Sequence, residues 1–170
     1  MAKAKAAVIS TPILWKKGRG ALGAFDPLLG SWIAEGTSAV MGKYKCVRRF
    51  DRILDDSFIQ ATVDWQLVGR NYGEIFVFGI DPATKKLSFW SFSSDKKRLS
   101  GGEHLAKDLP RESLAFETEG TAGLTRMIYW PMTDGFGYAT ESWTKKGGWN
   151  RFVDQRFRRV ELRPSMLPPR

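Results

Sequence analysis

Apolar and polar residues alternate with a period of two along most of this chain. The clearest run is 58–67, in which Ile59, Ala61, Val63, Trp65 and Leu67 face one way and Gln60, Thr62, Asp64 and Gln66 the other. A half-buried antiparallel strand has this pattern. Residues 44–53 alternate likewise, with Tyr44, Cys46 and Phe50 on one face and Arg48 in register with them. Residues 73–80 are apolar on both faces, and 86–92 follow after the Asp81-Pro82 turn as the second arm of a hairpin. Further strands are predicted over 112–118, 123–130, 135–143 and 148–160, with a first one opening at Trp32. Their connections carry turn residues such as Glu119-Gly120 and Lys145-Lys-Gly-Gly148. Residues 93–109, polar and bearing Gly101-Gly102, read as the least structured stretch. The expected fold is all-β: one antiparallel up-and-down β-barrel of eight to ten strands, closed to protect its edges.

Composition supports that reading and adds two tails. The 170 residues are 42% apolar and hold 17 Gly with 7 Trp, 4 Tyr and 11 Phe, which favours strands and tight turns. Residues 1–24 carry Lys3, Lys5, Lys16, Lys17 and Arg19 without an acid and read as a flexible basic arm, with a short helical turn around 4–8. The barrel is expected over 25–162, and 163–170 form a proline-rich tail. The net charge of +9 therefore sits near the ends and leaves the middle close to neutral. Such tails hold polyanions loosely and read no sequence, so nucleic acid is not the expected partner. Cys46 and His104 are the sole residues of their types, which excludes an intramolecular disulfide and multi-histidine metal sites. No metal and no cofactor are expected. No apolar run approaches the ~20 residues of a membrane span, and the basic N-terminus is a poor signal peptide. No membrane partner is expected, and the expected compartment is the cytoplasm.

The stretch 25–37, with Leu28-Leu29-Gly30-Ser31-Trp32 followed by Glu35-Gly36-Thr37, resembles the opening of lipocalin-like, calycin-type barrels. The segments Phe78-Gly-Ile-Asp-Pro-Ala-Thr84, Phe89-Trp-Ser-Phe92, Gly147-Gly-Trp-Asn150 and Arg156-Phe-Arg-Arg159 are similar to small bacterial proteins of that type and, more distantly, to nitrobindin-type barrels. The resemblance spans residues 25–160. It implies a barrel whose Trp32 packs across the closed end, under an arginine of the last strand, Arg156 or Arg158. Nitrobindin-type barrels hold haem through a histidine near the C-terminal end; this chain has none there, so that role does not transfer, and His104 reads as a loop residue.

Charged residues inside apolar alternations are the candidate chemistry. Arg48 keeps company with Cys46 and Phe50; Arg126 with Leu124, Ile128 and Trp130; Arg151 and Gln155 with Trp149, Val153 and Phe157; Glu141 sits between Ala139 and Trp143. Turned inward, these faces would set several arginines and one carboxylate among aromatics, and each buried charge would need a partner. Turned outward, they would be solvated. A surplus arginine would favour an anionic ligand. The candidate ligand-binding set is Arg48, Trp65, Trp90 and Arg126, with Trp130, Tyr138, Glu141 and Arg151. The expected function is to bind a small hydrophobic or anionic molecule in the barrel cavity; a homodimer remains open. Two alternatives stand beside it: an enzyme using Glu141, Tyr138 or His104 as acid or base, and a structural or interaction protein with a filled barrel.

Overall fold

The computed structural model describes residues 15–121 and 123–161. The expected helical turn at 4–8 and the tail at 163–170 lie outside them. Ten antiparallel strands run in sequence: β1 (Gly30–Ser38), β2 (Gly42–Ile53), β3 (Phe58–Leu67), β4 (Arg70–Ile80), β5 (Leu87–Ser93), β6 (Arg98–Glu103), β7 (Leu114–Gly120), β8 (Gly123–Met132), β9 (Gly135–Trp143) and β10 (Trp149–Arg159). Each pairs with its neighbours in sequence, and β1 pairs with β10 to close the barrel. The up-and-down order puts successive hairpins at alternate ends. The period-two pattern survives in the burial of β3, where Ile59, Ala61 and Val63 are wholly inside.

β6 lies within 93–109, the stretch expected to be the least structured. Its sequence, Arg-Leu-Ser-Gly-Gly-Glu, lacks the β-branched and aromatic residues that mark strands. Gly101 explains why: a Cβ there would lie 2.0 Å from the Glu117 carbonyl oxygen and 2.6 Å from the Phe89 ring. The backbones approach too closely for a side chain, so the strand's defining residue is the one that hides it. Pairing along the barrel is uneven. The β6–β7 ladder has only the register pairs Gly102↔Glu117 and Glu103↔Phe116, and the β1–β10 ladder only Trp32↔Arg159 and Ile33↔Arg158. β2 and β3, by contrast, are in register from Tyr44↔Leu67 to Ile53↔Phe58.

One end is closed. A 3-10 helix (Gly23–Leu28) lays Phe25 and Leu28, both wholly buried, across the interior. Phe25 packs on Phe78 at 4.7 Å between ring centroids. Trp32 is also wholly buried; its indole N–H donates to the Leu28 carbonyl at 2.6 Å and its ring meets Phe136 edge-on at 5.0 Å. The arginine over it is Arg159, not Arg156 or Arg158. Its guanidinium lies 4.8 Å from the Trp32 ring and donates to the Leu29 carbonyl at 2.9 Å. Arg159 is Trp32's register partner, so its side chain shares the inward face, whereas Arg158 points out and reaches Glu35. Gly30, at φ +104°, passes beneath that guanidinium. Ahead of this plug, Leu22 is buried and Trp15 packs against the core.

Candidate functional site

The other end opens into a cavity of about 290 Å3. Trp65, Phe76, Phe89, Phe116, Met127 and Tyr138 form its wall, with Met41, Leu67 and Arg70 nearer the opening. They come from β3, β4, β5, β7, β8 and β9, each placed by alternation. Glu74, the carboxylate on this wall, accepts from the Tyr72 hydroxyl at 3.2 Å. Burial lifts the Tyr72 phenol to about 12.

Arg48 lies behind the wall, wholly buried. Its guanidinium stacks 3.6 Å from the Tyr138 ring centroid and 5.2 Å from that of Phe157, and one Nη donates to the Tyr129 hydroxyl at 3.1 Å. Among the described residues no carboxylate reaches it, and its Nε has no hydrogen-bond partner. Gln155, 1% exposed and cross-strand from Tyr138, leaves both amide atoms without a partner among the described residues. Such orphans are rare in a folded interior. Burial raises the Cys46 thiol to about 11 against the pull of nearby Arg48, and raises the Tyr129 phenol in the same way.

The remaining charged candidates belong to a second cluster on the outer wall. In the strand register Glu117, Arg126, Glu141 and Arg151 form one row across β7, β8, β9 and β10. Arg126 borders the cavity, but its guanidinium points away from it. Nε donates to Glu141 at 2.7 Å, the two Nη donate to Asp108 at 3.2 and 2.7 Å, and the group stacks 4.1 Å from the Trp149 ring. Arg151 donates to the other Glu141 oxygen at 2.9 Å. His104 bridges Glu117 through Nδ1 at 2.7 Å and faces Arg126 through Nε2 at 3.3 Å. The Arg126 bonds hold Asp108 below the usual carboxylate range. The connection between β6 and β7 covers this row, so Arg126 and Glu141 are 4% and 5% exposed although they face outward.

The eight candidate residues therefore part into two groups. Arg48, Trp65 and Tyr138 are at or behind the cavity wall. Arg126, Glu141 and Arg151 meet on the outside, with Trp130 under Arg151 at 5.3 Å. Trp90 also faces out, beside the groove that Lys86 and Gly102 border. One grouping inferred from alternation fails: a β-bulge between Arg151 and Val153 puts Arg151 outside while Val153, Gln155 and Phe157 turn inward. A single inserted residue switches the face of everything beyond it. Gln155 and Tyr129 are the polar members of the inner site that sequence reasoning left out of the candidate set. Gln155 carried a signal, an amide in step with Val153 and Phe157; Tyr129 carried none.

A closed ten-stranded antiparallel barrel with one plugged end is compatible with a calycin-like fold. No protein-family model matches the chain, and neither does any curated protein.

Proposed function

We propose that the barrel binds a small, largely apolar molecule bearing an anionic group, as a lipocalin-like carrier does. The apolar part occupies the aromatic cavity, and the anionic group reaches Arg48 and Gln155 as Tyr138 turns aside. The observation that carries this reading is a wholly buried arginine without a carboxylate partner among the described residues, directly behind an open aromatic cavity. Leaving a charge uncompensated in a protein interior costs several kcal/mol, which an incoming anion offsets. The volume, about 290 Å3, equals roughly ten waters at ~30 Å3 each and suits a medium-length chain or a fused ring pair. Of the acid–base candidates, Glu141 and His104 stand on the outer wall and engage Arg126, Arg151 and Glu117, which leaves Tyr138 alone on the cavity wall. The test is displacement of 8-anilinonaphthalene-1-sulfonate by dodecanoate and by dodecanol. In wild type the acid should displace the dye about tenfold more effectively than the alcohol, as one charge-assisted contact implies. Arg48→Met should abolish that preference while leaving the unliganded protein as stable or more so, because a methionine removes the uncompensated charge. Equal displacement by acid and alcohol in wild type, or no saturable dye binding, overturns the proposal.

A further inference from the structure

Five hairpin connections ring the cavity opening, with described residues 39–41, 68–69, 94–97, 121 and 144–148. At these hairpins Val40, 72% exposed, Val68, 76%, and Trp143, 49%, stand in solvent, and Leu99 and Phe152, which line the cavity, are also exposed. Two-residue and three-residue turns ordinarily recruit Gly, Asn or Asp, so valine at two tips calls for a reason. Beside them the connections carry Lys96, Lys97, Lys145 and Lys146 against Asp95, and Lys97 already pairs with Asp95 at 2.8 Å. Lys43 and Arg70 follow the first two turns, while Arg98 and Glu119 at strand ends offset one another. The plugged end also exposes apolar residues, Leu54, Ile80 and Leu105, but Leu54 adjoins Asp55 and Asp56, Ile80 adjoins Asp81, and the connection of Leu105 is neutral, with Lys107 and Arg111 against Asp108 and Glu112. Apolar tips combined with surplus positive charge occur at the mouth.

We propose that this rim docks on an anionic lipid surface. Val40, Val68 and Trp143 enter the interfacial zone, and Lys96, Lys97, Lys145 and Lys146 meet the headgroups. The tips stand apart around a hole instead of forming one continuous patch, which fits a fluid bilayer better than a folded partner. Apolar insertion and cationic attraction are each weak alone and sufficient together. Docking seats the cavity opening on the source of an amphipathic ligand. No described helix is long and apolar enough to cross a membrane; the contact is peripheral. The experiment is flotation of the full chain with vesicles of phosphatidylcholine alone and with about a third phosphatidylserine. Wild type should float with the anionic vesicles, about tenfold less with the neutral ones, and lose binding as salt rises to about 0.5 M. Val40→Asp/Val68→Asp and Lys145→Glu/Lys146→Glu should each lower anionic-vesicle binding about tenfold. Both variants keep the basic N-terminal residues, so wild-type retention by either would assign the binding elsewhere and overturn the proposal. Equal flotation with both vesicle types, or none, would do the same. None of the four substituted residues lines the cavity, so vesicle-free dye binding by the variants should be unchanged. That measurement checks folding and keeps a failure of docking distinct from a failure of the cavity reading.

Discussion

At the scale of single residues, the plug and the inner site use burial in opposite ways. Trp32 buries a large ring and satisfies its one donor on Leu28, so packing and hydrogen bonding reinforce each other. Trp32→Ala should therefore cost about 3–5 kcal/mol in urea unfolding, since it opens a cavity, frees the Leu28 carbonyl and strips Arg159 of its aromatic face. A loss below about 1 kcal/mol would show that the ring does not close the barrel. Arg48 is the reverse case. It has aromatic faces and one tyrosine oxygen but, among the described residues, no carboxylate, so it contributes less to the fold than a similar-sized apolar residue would. Stability and ligand preference are expected to move in different directions at these two positions.

At the scale of elements, the connection between β6 and β7 is held to the wall by Arg126. Asp108 is the exposed half of that contact, with its side chain 54% accessible, so the latch is modest. Its carboxyl is depressed in the folded protein by the bonds from Arg126. The stabilisation is thus present above the ordinary carboxylate pKa of ~3.9 and disappears as pH falls through the lower folded value. Asp108→Asn should accelerate amide exchange in 104–113 at neutral pH. Wild type and variant should converge as the medium is acidified below that range, and a difference that persists in acid would refute the latch. The row beneath it also shows how far alternation carries. β3 is buried on one face and its orientation is plain in the sequence. β8 and β9 are buried on both, inward by the core and outward by the connection, and β10 is shifted by a bulge. Their patterns name the charged residues but not the side on which these stand.

At the scale of the whole molecule, the barrel is closed by two sparse seams. Backbone amides of β6 and of the second half of β1 should exchange faster than those of β2 and β3, whose ladder is continuous. Uniform protection around the barrel would mean that the seams are as firm as the rest. The all-β class, the strand order and the closure were legible in the chain, because period-two alternation and turn residues are local consequences of strand geometry; the tryptophan plug was implied by the resemblance of residues 25–37 to calycin-type openings. The identity of the arginine over Trp32, the existence of β6, and the division of Arg48 from Arg126, Glu141 and Arg151 were decided by tertiary structure. Each depends on register between strands far apart in sequence, on a bulge or on a covering loop. A side chain's face is a property of its strand; what lies against that face is a property of the assembled barrel.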